Sequence, residues 1–356
     1  MNRLLVRDLG GAVGVFAVLA VFTYYVADQR VVLLGTFMTF VTLAVSLDLM
    51  VGTTGMLSMG HAAFFGVGAY ASTLLAQNAG WSLPLAGLAA LGIVAVVALL
   101  VGLPATSRTA GLYFAIVTFA FGELLVQLVN NTTAVSGGSE GLPVTFGLEG
   151  GLPDGWTVYR FITMWIAGLL LLTLVVTALV RNTSLGPRLM AVRESENLTR
   201  GLGFNPTFYK TVIFVLSSVI AAAAGVLYAP MVGFINPDLM GVEQSIYILG
   251  LLYVGGMGSV TGAFVGVGVL ATLPQLYDLD PVLRPVIVGV AMAVVVLLAP
   301  DRGIVGLLRD LLRWLTRGLR RWRGGPPVAA SAGRPLDDLR TDVREHVPAG
   351  GEKGEV

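Results

Sequence analysis

The sequence predicts an all-α, polytopic transmembrane helical bundle, and three observations carry that prediction. Of its 356 residues, 55% are hydrophobic and only 12% charged, with a mean hydropathy of +0.82. A soluble domain of this size needs far more charge to cover its surface. The apolar residues also come in long blocks rather than amphipathic stripes. Most blocks approach the roughly 20 residues that cross a hydrocarbon core of about 30 Å at 1.5 Å per residue.

The blocks lie at 10–27, 31–51, 61–78, 83–103, 111–131, 161–180, 210–232, 244–260, 262–277 and 282–299, about ten spans in all. Glycine interrupts the third, eighth and ninth. An eight-span alternative makes 61–78 and one block of 244–277 re-entrant. The first block follows Arg3 and Arg7 as a signal peptide would, but it lacks a small-x-small cleavage site and reads as a retained span. These spans form one transmembrane domain over residues 1–300.

Orientation follows from the basic residues, which favour the cytoplasm. They cluster at Arg3/Arg7, Arg108, Arg181–Lys210 and Arg302–Arg323, whereas 132–160 carries Glu140, Glu149 and Asp154 against Arg160. Ten spans threaded from a cytoplasmic N-terminus put every basic cluster inside, with both termini cytoplasmic and the chain in a cell inner (plasma) membrane. Residues 301–323 read as a basic amphipathic helix on the inner leaflet, with Ile304, Leu308, Leu311 and Leu315 opposite Arg309, Arg313, Arg317 and Arg320. Residues 324–356 are too poor in apolar surface to fold and read as a disordered cytoplasmic tail.

Several functions are excluded. The net charge of +1 gives no field for nucleic acid, and the absence of cysteine removes disulfides, thiolate metal sites and cysteine nucleophiles. Of the two lysines, only Lys210 comes near a phosphate-binding loop, and Tyr209 replaces the glycine that such a loop needs. Gly137–Gly141 spells GxSxG, but the only histidines, His61 and His346, fall on the other side of the expected topology from Ser139. Neither a catalytic site nor a metal or cofactor site emerges.

Polar features inside the apolar blocks remain. Asp48, His61 and Glu123 are ionisable groups in or at the mouth of spans, where each charge costs about 2.5–3.5 kcal/mol and must face protein or water. They read as a polar passage or as hydrogen-bonded glue between helices. The glycine-rich breaks around Gly55 and Ser58, and at Gly255 and Gly256, mark interrupted helices of the kind that border substrate sites. Gly258, Gly262 and Gly266 form a small-residue packing stripe. The loop 181–209 predicts one amphipathic helix of about four turns, with Leu189, Val192 and Leu198 opposite Arg193, Glu194 and Glu196. Ser184 is placed to cap it, and Gly201 and Gly203 to stop it.

Four segments in this order, LSMGHAAFFGVGAYASTLL (57–75), GLYFAIVTFAFGELL (111–125), GPRLMAVRESENLTRGLGFNPTFYK (186–210) and GLLYVGGMGSVTGAFVGVGVL (250–270), resemble the permease subunits of branched-chain amino acid ABC importers, the M-type above all. The resemblance covers roughly 30–300. It implies a second homologous permease, two cytoplasmic ATP-binding subunits and an external substrate-binding protein as partners, with a coupling helix within 186–204. It also implies alternating access driven by those ATPases. SGGSEGL (136–142) is similar to the family's external GG-x-x-GL stretch, with Glu140 in place of a neutral residue. Related permeases carry urea, short amides or other amino acids. An ATP-independent transporter or channel is the rival from another class.

Overall fold

The computed structural model describes residues 3–108, 111–146, 156–276, 283–298 and 303–307, and nearly all of them are helical. Helices α1 (Arg3–Tyr25), α2 (Asp28–Thr54), α3 (His61–Ala79), α4 (Leu83–Arg108) and α5 (Leu112–Asn131) follow one another with short breaks. A short α6 (Thr133–Ser136) and a two-residue strand β1 (Leu142–Pro143) lead towards α7 (Val158–Asn182). Then come α8 (Leu185–Glu194), α9 (Glu196–Gly201), α10 (Pro206–Val232) and β2 (Phe234–Ile235), which pairs antiparallel with β1. The described chain closes with α11 (Val242–Gly255), α12 (Val260–Val267), a π-helical stretch Gly268–Thr272, α13 (Leu273–Leu276) and α14 (Leu283–Leu298). The expected tail and most of the expected amphipathic helix lie outside the described residues; only the turn 303–307 is seen, and it is helical.

Burial separates centre from rim. The apolar window of α2 is 72% buried and that of α10 61%, against 6% for α1. Accordingly α10 packs on α2, α3 and α4, whereas α1 leans on α7. Where α10 meets α3, Gly225 and Gly68 let the backbones touch: a Cβ on Gly225 would lie 1.9 Å from the Phe65 carbonyl oxygen. Phe214 of α10 meets Phe64 of α3 and Phe114 of α5 edge-on, each with centroids 5.5 Å apart.

Among the described residues the candidate spans divide into straight helices and one bent pair, the re-entrant alternative for 244–277 being the nearer expectation. Six helices, within α1, α2, α4, α5, α7 and α10, are long and apolar enough to cross a membrane. The eighth and ninth blocks are not two straight spans. They are one hairpin, α11 and the run Val260–Leu276, bent by 114°. Its cause is local: Gly256 adopts φ +115°, Ser259 restarts the chain as an N-cap, and Gly262 and Gly266 nest on the backbone of α11. The stripe is therefore a packing surface at Gly262 and Gly266, while Gly258 occupies the turn, where an added Cβ would meet open space.

Contacts at the two ends of the bundle place α3 along its length. Asn182, ending α7, donates to Asp8 near the start of α1, at one end. Near the far end of α3, Gln77 donates to the Pro143 carbonyl in β1.

Candidate coupling and transport site

Helix α2 ends at Thr54 with Gly55 in the left-handed conformation (φ +71°), and regular structure resumes only at His61. The stretch between climbs back into the bundle, since the His61 Nε2 lies 2.8 Å from the Ser46 hydroxyl. Ser46 is eight residues before Thr54, or about 12 Å at 1.5 Å per residue. Irregular backbone thus runs beside the middle of α2, where its polar groups need protein partners. Hydroxyl groups provide them. Thr118 of α5 accepts from Met59 N–H at 3.1 Å, Ser245 of α11 from Ala62 N–H at 3.0 Å, and Ser58 from Gly60 N–H at 3.4 Å. The Ser46 hydroxyl also lies 2.9 Å from the Leu43 carbonyl, and the tautomer of His61 decides which of the two takes its single proton.

The two breaks meet beside Asp48. Its carboxylate, fully buried, accepts from Gly258 N–H at 2.6 Å and from Arg181 at 2.5 Å, and Arg181 also donates to the Gly258 carbonyl at 3.2 Å. Gly255 and Gly256 are buried at the head of the same turn. One helical turn beyond Asp48, the Gly52 carbonyl accepts from Arg193 of α8 at 2.8 Å, and the Arg193 side chain lies over Gly55. Glu123 stands apart from this cluster. It is half-buried on α5 next to Gly122, which faces Gly60, and no described residue pairs with its carboxylate. The buried stripe of α5 is Phe114, Ala115, Thr118 and Gly122, leaving Phe119, Leu124 and Leu128 exposed.

The loop after α7 is two helices rather than one. Ser195 is extended (φ −161°), ends α8, and caps α9 by accepting from Leu198 N–H. Ser184 stands at the N-cap of α8 without a side-chain bond. Of the expected apolar face, Leu189 and Val192 are buried but Leu198 is 66% exposed, alongside Met190 and Leu202. Glu194 points outward, whereas Glu196 pairs with the buried Lys210 of α10 and, at 3.8 Å, with Arg200. Arg188 stacks over Phe204, 5.2 Å from its centroid, and donates to the Tyr209 hydroxyl. Gly201 ends α9, and Gly203 turns the chain with φ +84°. The pair α8–α9 is therefore bolted to α2 and α10 and leaves Met190, Leu198 and Leu202 exposed.

Arg181, Lys210 and the hydroxyls of Ser46, Thr118 and Ser245 complete this site and were not legible as its members. Each hydroxyl is a polar residue inside an apolar block, which was the available signal. At Gly137–Gly141 the chain is a glycine turn, with φ +71°, +61° and +77° at Gly137, Gly138 and Gly141. Among the described residues no group of three or more His, Cys, Asp or Glu comes together.

Residues 30–299 match the family described as branched-chain amino acid transport system / permease component. The chain belongs to this family. It is 35% identical over 249 residues to the high-affinity branched-chain amino acid transport system permease protein LivM of Salmonella typhimurium, a match covering 62% of this chain and 57% of that protein. It is 26% identical over 290 residues to the LivH permease protein of Escherichia coli, covering 75% of this chain and 91% of that one. A match at 28% identity to the autoinducer 2 import system permease protein LsrC of Yersinia pseudotuberculosis covers 70% of this chain and 67% of the relative. No solved structure matches. As a family member with apolar helices of spanning length, it is a multi-pass membrane protein.

Proposed function

We propose that the chain is one of two permease subunits of an ABC importer in the inner membrane, passing branched-chain amino acids by alternating access. The observation that carries this reading is α8–α9. An amphipathic pair held on the spans by Arg193 and by the Glu196–Lys210 ion pair exposes Met190, Leu198 and Leu202, with Glu194 and Arg200 at the margin. An exposed apolar patch rimmed by charge is a protein-docking surface, and its rigid attachment lets a docked partner move the spans. An ATP-binding subunit is that partner in this reading, with a second copy on the paired permease and a binding protein delivering cargo from outside. The bundle end carrying Arg181, Arg188, Arg193 and Arg200 faces the cytoplasm, and the Leu142–Pro143 ribbon faces out.

The passage in this reading runs along the interface with the second permease, past Glu123 and the 55–60 stretch. Asp48, Ser58, His61 and the buried breaks support its wall from behind. An aliphatic amino acid with two charged ends suits apolar walls with a few convergent polar groups. The LsrC relative, of an autoinducer 2 import system, keeps a second cargo open. Docking is tested by purifying the chain with its assembled complex. Val192→Pro, which breaks α8, or Glu194→Lys, which reverses charge beside the patch, should weaken ATPase retention or uncouple hydrolysis from uptake, with insertion normal. If both variants keep full coupled uptake, α8–α9 is not the coupling element.

A further inference from the structure

Gly258 is exposed at the turn of the α11–α12 hairpin, and an added Cβ there would touch nothing within 4 Å. Met257 and Val260 on either side pack against the core, whereas the glycine itself is gripped through its backbone by two charged side chains: Asp48 accepts its N–H at 2.6 Å, and Arg181 donates to its carbonyl at 3.2 Å. Those side chains pair with each other at 2.5 Å, with the Asp48 side chain 1% exposed and that of Arg181 25%. A buried ion pair is weak evidence for stability, because well-packed apolar residues often do as well; its best-attested use is to fix one arrangement among several. Here it fixes a backbone turn from two other helices.

The same cluster reaches the surface. Gly52 lies in the last turn of α2, where carbonyls lack helical partners, and its oxygen accepts from Arg193 of α8 at 2.8 Å. A cation at a helix C-terminus is also favoured by the helix dipole. A Cβ on Gly52 would lie 3.0 Å from Asp48 Oδ1 and 3.4 Å from both Arg181 Nη2 and the Gly258 Cα, so a shift of this turn is felt directly by the grip on Gly258. We propose that Asp48, Arg181 and Arg193 form a latch that holds the α11–α12 turn against α2, and that displacement of α8 releases it. Arg181 and Asp48 are positioning residues in this device. Its trigger rests on the reading of α8 as the docked element, but its existence does not.

The chain has no cysteine, so Met257→Cys, beside Gly258, reports release of the turn through its alkylation rate in the full-length, membrane-reconstituted complex. Asp48→Asn with Arg181→Met removes both charges, so no buried charge is left unpaired. On that background labelling should quicken about tenfold, as expected for a turn freed to open locally. Arg193→Gln, a change at the surface end of the latch, should quicken it about threefold. Unchanged labelling in the double variant at normal membrane abundance overturns the latch; if the double variant is lost from the membrane, unchanged labelling in Arg193→Gln overturns it. A non-hydrolysable ATP analogue should accelerate labelling of the otherwise native chain and leave the double variant unaffected. A fast double variant together with a native chain indifferent to the analogue keeps the latch and removes the ATPase as its trigger.

Discussion

Lys210 illustrates what one residue's neighbours decide. In the sequence it is a lysine near a failed phosphate-loop pattern; in the fold it is a buried ammonium on α10 whose partner, Glu196, arrives from α9. Breaking one side of such a pair leaves a charge in an apolar setting, at a cost of up to about 3–5 kcal/mol where burial is complete. Glu196 is 30% exposed, which places the expected loss below that limit. Glu196→Gln should therefore lower the thermal midpoint of the detergent-solubilised protein, and adding Lys210→Met should recover most of the loss. Equal midpoints for the native chain and Glu196→Gln would mean that the pair contributes nothing. Asp48 and His61 were legible as ionisable groups in or at the mouth of apolar blocks, and the structure buries both. Their partners, Arg181 and Ser46, were not, because sequence spacing carries no information about which helices become neighbours.

At the scale of elements, long apolar runs were read well because a hydrophobic block of spanning length has few other solutions in a membrane. The failures are all at joints. The block 262–277 was counted as a glycine-interrupted span, with a re-entrant alternative for one block of 244–277, and glycine does let it fold back on α11: Cβ atoms on Gly262 and Gly266 would lie 2.3 Å and 1.9 Å from carbonyl oxygens of Gly256 and Leu251. Gly266→Ala should then pry the hairpin apart and cost about 1–3 kcal/mol, the usual penalty for overpacking. Gly92→Ala, where a Cβ meets nothing within 4 Å, should leave the midpoint unchanged or slightly raised. If the two variants melt alike, close packing at the hairpin is not what holds it. The loop 181–209 shows the same lesson. Its charge and amphipathicity were visible, but the extended Ser195 that divides it, and so turns Leu198 outward, depends on a cap bond that a competing continuous helix also permitted.

At the scale of the whole molecule, sidedness and function join. The contact of Asn182 with Asp8 and the pairing of β1 with β2 gather the arginine-rich ends of α7 and α8 at one pole and Glu140 towards the other. In this cysteine-free chain, Glu140→Cys should react with an impermeant thiol reagent applied to intact cells. Arg200→Cys should react only after the membrane is opened. Equal labelling of the two would break the topology. The sequence could not yield the span number, because parity after α10 turns on whether a bent hairpin crosses. It could not yield the passage either, because Glu123 and the exposed face of α5 have no counterpart within the described chain. The account as a whole rests on energised import, and reconstitution measures that directly. Proteoliposomes bearing this chain with its partner permease and ATP-binding subunits, supplied with loaded binding protein, should accumulate labelled leucine, isoleucine or valine only when ATP is provided on the side of the Arg193 pole. Accumulation that proceeds equally without ATP, or hydrolysis that drives no branched-chain amino acid across, would contradict it.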